Sequence, residues 1–486
     1  MGTESQQLHV FFFPFMAQGH LIPLVDVARL FASRGTKSTI ITTPLNALHF
    51  AETIDRDKHS GLDIEIQIIP FPAAEVGLPE GCESADSVPS QDMATNFFQA
   101  VSHGTLLQQP FEQLLENHRP DCVIADMFLP WTTNAANKYG IPRLVFHFTS
   151  LFSLCVIENI EMYAPHKNVT SDAEVFELPG LPDKIKMTNS QLPNYDDSYN
   201  TFSKLKEKMH EADVKSFGVL VNSFYELEPA YAEYYKGMGR RAWHIGPVSR
   251  CNINAIDKAE RGKKSLIDVH NCLSWLNSKE PDSVLYVSFG SHTRFSATQL
   301  QHIAMGLEAS QVPFIWVVRM AKNKDTNNFL PEGFEERMEG KGLIIKDWAP
   351  QVLILNHPSV GGFLTHCGWN STVEGISAGV PLITWPVFAE QFYNEKLVTQ
   401  VLKTGITAGN EVWNCWIELE GLLVTKEKIK EVVTQLMDNG QQAQDMRKRA
   451  RELGEMSKRA VEIGGSSYND LTTIIEELRV HSQKSL

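Results

Sequence analysis

The seven cysteines (Cys82, Cys122, Cys155, Cys251, Cys272, Cys367 and Cys415) are odd in number, scattered and free of any C-x-x-C pair. That pattern excludes a disulfide scaffold and reads as reduced, mostly buried thiols in a cytosolic protein. No apolar run approaches the length of a membrane span. The opening MGTESQQ is polar and the Val10–Phe13 run too short for a secretory signal, while Gln6 stands where myristoylation needs Ser or Thr. Basic charge is also short: 44 Lys and Arg against 58 Asp and Glu leave a formal net charge of −14. This argues against nucleic-acid or anionic-membrane partners. An anionic nucleotide is still allowed, because local dipoles and hydrogen bonds outweigh distant charge at a closed site. The first strand-like run lacks G-x-G-x-x-G after it and continues Pro14-Phe15-Met16-Ala17-Gln18-Gly19-His20, which speaks against a dinucleotide site. The sequons at Asn168 and Asn370 carry no meaning in a cytosolic chain.

What is present is a long α/β alternation. A chain of 486 residues exceeds one comfortable core, so two domains are expected. Strand-like runs fall at Leu8–Phe13, Ser38–Thr42, Ile64–Ile69, Cys122–Ala125, Leu144–Phe148 and Gly218–Asn222. They resume at Val284–Phe289, Phe314–Val318, Leu343–Lys346, Gly362–Thr365 and Leu382–Trp385. Helical spacing over Pro23–Ser33 follows the first of them, with Pro23 in its first turn and Gly35 as its stop. Strands separated by helices predict parallel, doubly wound sheets. The charge-rich Asn252–Lys264 reads as the linker. Helices are expected over Lys426–Met437, Gln441–Glu462 and Ser466–Val480, with a frayed tail from Gln483.

The densest chemistry lies in WAPQVLILNHPSVGGFLTHCGWNSTVEGISAGVPLITWPVFAEQ, from Trp348 to Gln391. An apolar run ends in His366-Cys367-Gly368-Trp369-Asn370-Ser371 and passes into helical spacing. A strand, a small-residue turn and a helix start aim free backbone N–H groups at an anion, and a diphosphate suits that end. Flanking Trp and Glu residues offer ring stacking and ribose contacts. The stretch resembles the donor signature of plant family 1 UDP-dependent glycosyltransferases that act on small lipophilic acceptors. The resemblance implies the GT-B architecture, two Rossmann-like domains facing a cleft. It places an acceptor domain at 1–250, a linker at 251–265, a UDP-sugar domain at 266–460 and a C-terminal helix at 461–486 packing back on the first.

The resemblance also implies roles. Trp348 would stack on uracil, with Ala349 beside it and Gln351 on the base or ribose edge. His366, Asn370 and Ser371 would hold the diphosphate, with Gly368 leaving room for backbone approach and Ser291 a further phosphate contact. Glu374 would accept the ribose hydroxyls. Glu390 and Gln391 would read the sugar, and Gln391 with Trp369 fits the UDP-glucose pattern. His292 beside Ser291 is as well read as an exposed loop residue, and Cys367 as a small residue at a tight turn.

Transfer to an alcohol needs a base. His20 follows the first strand, Asp126 ends the strand Cys122–Ala125, and in sheet order 3-2-1-4-5 both lie at the switch point. By resemblance (FPFMAQGH and IADMF) His20 is the general base and Asp126 fixes its tautomer. The expected product is a β-glucoside on a hydroxyl or carboxyl, formed with inversion, with UDP-glucose as co-substrate and no metal or other cofactor. The one D-x-D match, Asp55-Arg56-Asp57, reads as solvated charge. Phe15, Met16, Gly19 and Thr149 are weaker candidates for acceptor or sugar contacts, as are the segments Phe71–Asp92, Phe148–Phe152 and Pro179–Tyr199. The acceptor class stays open between a triterpenoid or steroid sapogenin and a flavonoid. Other readings are a galactosyl- or glucuronosyltransferase, or a non-catalytic nucleotide-sugar binder. A cytoplasmic monomer is expected.

Overall fold

The computed structural model describes residues 7–102, 104, 106–193, 202–263, 265, 267–319, 330–414 and 423–485. The cysteine at 415, parts of the 179–199 loop and of the 252–264 segment, and the final residue lie outside them.

In the first unit β1 (His9–Phe13), β2 (Lys37–Thr42), β3 (Ile64–Ile68), β4 (Cys122–Asp126) and β5 (Arg143–His147) follow one another with helices between. A small antiparallel hairpin, β6 (Val175–Glu177) with β7 (Lys186–Thr188), precedes β8 (Gly218–Val221) and β9 (Ala242–His244). The parallel sheet runs β3-β2-β1-β4-β5-β8-β9. Its central strands are buried on both faces, so β1 and β4 read as unbroken apolar runs rather than alternations. The second unit has β10 (Val284–Ser288), β11 (Phe314–Val318), β12 (Gly342–Lys346), β13 (Val360–Thr365), β14 (Leu382–Thr384) and β15 (Gly405–Thr407). Its order is β12-β11-β10-β13-β14-β15. Both sheets reverse direction of growth once, between β1 and β4 and between β10 and β13, and there a doubly wound sheet opens a crevice.

Three expectations need correction. The first helix spans Gln18–Ala32, so Pro23 sits inside it rather than at its start. The last helix continues past Val480 to Ser485. Leu471, Ile474, Ile475 and Leu478, at helical spacing, pack into the core beneath Leu8, Val10 and Phe12, and the Ser482 hydroxyl donates to Asp121. The 252–263 segment is no loose linker. Arg29 donates to Asn252 Oδ1 at 2.6 Å and to Asp257 at 3.3 Å, and Arg261 donates to Asp26 at 2.7 Å. Asn252, Asp257 and Arg261 pair with Asp26 and Arg29 of the first helix instead of facing water.

The units share a core. Trp369, Val373, Ile376, Phe392 and Tyr393 of the second unit cluster with Val145, Leu151, Phe152 and Val156 of the first. The Trp369 indole is 2 % exposed, and its N–H donates to the Asn222 carbonyl at 2.8 Å. Trp369→Ala should therefore destabilise the protein by about 3–5 kcal/mol in urea unfolding. A wild-type midpoint would contradict this account of the shared core.

Candidate functional site

Strand β1 delivers Phe15 and the first helix to the switch point, and β4 delivers Asp126. The two chain segments meet in one hydrogen bond: His20 Nδ1 stands 2.8 Å from Asp126 Oδ2. Asp126 is fully buried and is held by N–H groups of Phe15 at 3.2 Å and Phe128 at 2.8 Å. The Arg143 guanidinium donates to its backbone carbonyl at 2.8 Å. A carboxylate fixed this way orients the imidazole, with Nδ1–H toward Asp126 and the Nε2 lone pair left to act. Around His20 stand Phe148, Phe15 and Phe128, with ring centroids 4.1, 5.3 and 5.3 Å away. Phe98 stacks on Phe15 at 5.4 Å. Thr149 follows, its buried hydroxyl without a hydrogen-bond partner among the described residues. Met16 is core, 1 % exposed, and contributes its carbonyl to the Ala85 N–H.

Opposite, β13 ends in a turn whose Cys367 takes a positive φ of 64°, and the helix Trp369–Ser377 begins. The first N–H groups of that helix have no intrahelical acceptor. The His366 ring is wedged between two glycines: a Cβ at Gly290 or at Gly368 would come within 2.5 Å of it. Burial pushes its pKa down to about 3, helped by nearby His292, so it is neutral at physiological pH. Ser291 follows Gly290 on the same turn. Gln351 Nε2 donates to Ser371 Oγ at 3.1 Å and to Glu374 Oε2 at 2.8 Å, joining three of the expected donor residues. Ala349 is buried beside Trp348, whose buried indole N–H has no acceptor among the described residues.

Proline 23 has a consequence here. Lacking an N–H, Pro23 leaves the Gly19 carbonyl without its i+4 donor, and the Asn370 side chain donates to that oxygen instead. The helix bearing His20 and the helix bearing Glu374 are thereby joined one residue from His20. The Trp369 indole lies in the shared core, while its backbone N–H reaches Glu390. Gln391 Oε1 accepts from the N–H groups of Val387 and Phe388 at 2.9 and 3.1 Å, which leaves its amide nitrogen for a ligand. Glu390 accepts from Asn394 at 3.3 Å, and burial raises its pKa while proximity to His20 opposes the rise.

His292 does not project into solvent: its Nε2 is 3.3 Å from Asp86 Oδ1 of the first unit. Burial opposes ionisation of Asp86, but His292, Lys263 and the Gln18 N–H hold its carboxyl at about 2. Asp57 is likewise buried rather than solvated, paired with Arg29 Nε at 2.6 Å. Sequence reasoning missed Asp86, Asn222 and Arg261. Arg261 donates to Glu374, and its only signal was a charge run that reads equally as linker.

The family model for UDP-glucoronosyl and UDP-glucosyl transferases matches residues 262–412. A scopoletin glucosyltransferase of Nicotiana tabacum is 55% identical over 98% of this chain and 99% of its own length. The chain belongs to the plant UDP-glycosyltransferases. A flavonoid 3-O-glucosyltransferase of Fragaria ananassa is 54% identical over 98% of both chains. Among solved structures, Glycyrrhiza uralensis UGT73P12 complexed with glycyrrhetinic acid 3-O-monoglucuronide superimposes with a TM-score of 0.93 at 43% identity, covering 99% of this chain and 97% of that one. This glycosyltransferase is thus an enzyme of the hexosyl-transferring class with the GT-B fold, and a UDP-sugar is its donor. No helix among the described residues is long and apolar enough to cross a membrane.

Neutral buried histidines make the folded enzyme acid-sensitive. His366 and His9 titrate near 3 and 4 when folded, against 6.5 for a free imidazole. Below about 6.5 the unfolded chain therefore binds more protons, and stability falls as pH falls toward the folded values. Moving from pH 7 to 5 should cost about 2 kcal/mol from His366, with a smaller addition from the partly exposed His9, in urea unfolding. A flat profile across that range would show that neither ring is buried neutral.

Proposed function

We propose that the enzyme transfers glucose from UDP-glucose, with inversion, to a hydroxyl of a flat phenolic plant metabolite of flavonoid or coumarin type. The observation carrying this reading is the His20–Asp126 pair, 2.8 Å apart, set among Phe15, Phe128 and Phe148 and facing the donor motif. An aromatic setting around the base favours a planar acceptor over a puckered polycyclic one. The scopoletin and flavonoid glucosyltransferases at 55% and 54% identity support the same choice. A triterpenoid or steroid sapogenin is the competing acceptor, and a free carboxyl group an alternative target.

In this mechanism His20 Nε2 takes the acceptor proton as the hydroxyl oxygen attacks the anomeric carbon from the face opposite UDP. The new C–O bond forms as the bond to the β-phosphate oxygen breaks, giving a β-glucoside. Asp126 stabilises the imidazolium. The departing diphosphate meets the N–H groups at the start of the helix Trp369–Ser377, with His366, Asn370, Ser371 and Ser291. Trp348 carries the uracil, Glu374 and Gln351 take the ribose, and Glu390 with the Gln391 amide nitrogen reads the hexose. Glucose as the sugar follows from Gln391 by family resemblance. Diphosphate charge met by these groups leaves no step that calls for a metal. A division at 1–250, 251–265, 266–460 and 461–486 accords with the two sheets. Cytosolic residence accords with the six described free cysteines.

His20→Ala should leave UDP binding near normal and lower kcat by ~10²-fold or more, with the larger loss on aliphatic hydroxyls, which ionise less readily than phenols. Near-normal turnover would remove His20 from the mechanism. Glu374→Ala should weaken UDP binding by roughly 10- to 100-fold, the loss expected for hydrogen bonds to a charged group. A panel of coumarins, flavonoids and triterpenoids, each offered with UDP-glucose, UDP-galactose and UDP-glucuronate and read by NMR of the product, tests acceptor, sugar and anomeric outcome together.

A further inference from the structure

Arg261 lies outside the donor motif, yet its guanidinium bridges the two units. Nε donates to Asp26 at 2.7 Å on the first helix, and Nη1 donates to Glu374 Oε1. The side chain is 10% exposed. Both oxygens of the Glu374 carboxylate are thus engaged by the protein, Oε1 by Arg261 and Oε2 by Gln351 at 2.8 Å. The next residue sets the strap on the rim of Trp348. Gly262 has a φ of +96°, and a Cβ there would stand 2.6 Å from Trp348 Cζ2 and 2.6 Å from Ile22 Cδ1. Ser265 Oγ donates to the Trp348 carbonyl at 2.7 Å.

We propose that Arg261 is a positioning residue of the donor site, acting through Glu374: it holds the place of the ribose hydroxyls while no nucleotide is bound, and UDP-sugar enters by exchanging that ion pair. The inference rests on the ribose role given to Glu374 above. A carboxylate buried as deeply as Glu374, 6% exposed, is costly without a partner. Before the ribose arrives, Arg261 supplies one. The exchange leaves neither partner bare. Glu374 trades a guanidinium for two hydroxyls, and Arg261 is not left unpaired, since its Nε keeps Asp26. Only the outer nitrogen of the fork has to leave. Because the ion pair opposes nucleotide binding and is absent once the nucleotide is bound, it raises the donor KM without entering the chemical step.

Titration calorimetry with UDP on wild type, Arg261→Met and Arg261→Lys tests this. The Met variant should bind UDP about tenfold tighter. Its KM for UDP-glucose should fall in step while kcat stays within about twofold. The Lys variant, which can still pair with Glu374, should stay near wild type. Unchanged or weaker UDP binding by Arg261→Met overturns the proposal. Hydrogen exchange on the wild-type enzyme decides the matter independently should that variant not fold. The amides of residues 256–263 should exchange faster at saturating UDP, and equal or slower exchange overturns the exchange model. A loss of UDP affinity in Glu374→Ala with no gain in Arg261→Met refutes the exchange and leaves the ribose role standing. Unchanged affinity in Glu374→Ala refutes the ribose role itself.

Discussion

Pro23 has no N–H to offer the Gly19 carbonyl, and that one missing donor organises the cleft. An α-helix normally consumes every interior carbonyl. Here one is left over, a single residue from the imidazole, and Asn370 takes it across the interface. The contact couples the helix that carries His20 to the helix that carries Glu374. Trp369 locks the neighbouring position by burying its ring in the core shared by the units and bonding Asn222. The Trp348–Gln391 stretch and the His20 imidazole are therefore set relative to each other by side chains of that stretch itself. Two adjacent residues of one turn divide the labour, Asn370 fixing distance and Trp369 fixing packing.

A second constraint is electrostatic. The chain carries a net charge of −14 and yet binds a nucleoside diphosphate. Local arrangement resolves the conflict. Acids near the interface are matched: Asp26 by Arg261 and Asp57 by Arg29. Each pair is largely buried, so the attraction is poorly screened and persists at physiological salt. The start of the helix Trp369–Ser377, proposed to meet the diphosphate, is left with N–H groups and a neutral His366, neither of which repels an anion. Net charge and site charge are separate quantities in this molecule.

Much of the architecture was legible in the chain. The continuous apolar runs of β1, β4, β10 and β13 can be buried on both faces only in parallel sheets covered by helices, so the α/β class and most strand positions followed from pattern alone. The small strands β6, β7, β9 and β15 escaped: three residues are too few to display an alternation, and the equally short β14 stands out only because it lies in the apolar run Leu382–Trp385. The first helix was started late because Pro at a first turn is the commoner arrangement. Only the placement of Asn370 shows why Pro inside the helix is tolerated.

The sequence by itself determined the chemistry available at the site. A strand running into His366-Cys367-Gly368 and then a helix start can hold a diphosphate wherever it folds, because the free N–H groups are a property of the backbone. The pairing of His20 with Asp126, 106 residues apart, needed the strand order that sets β1 beside β4. The tertiary structure alone decided that the Trp369 indole faces a core, that Gln391 uses its carbonyl internally, and that a charged run read as linker lies across the Glu374 carboxylate. Side-chain direction and the pairing of distant charges depend on which elements become neighbours, and no local pattern encodes that.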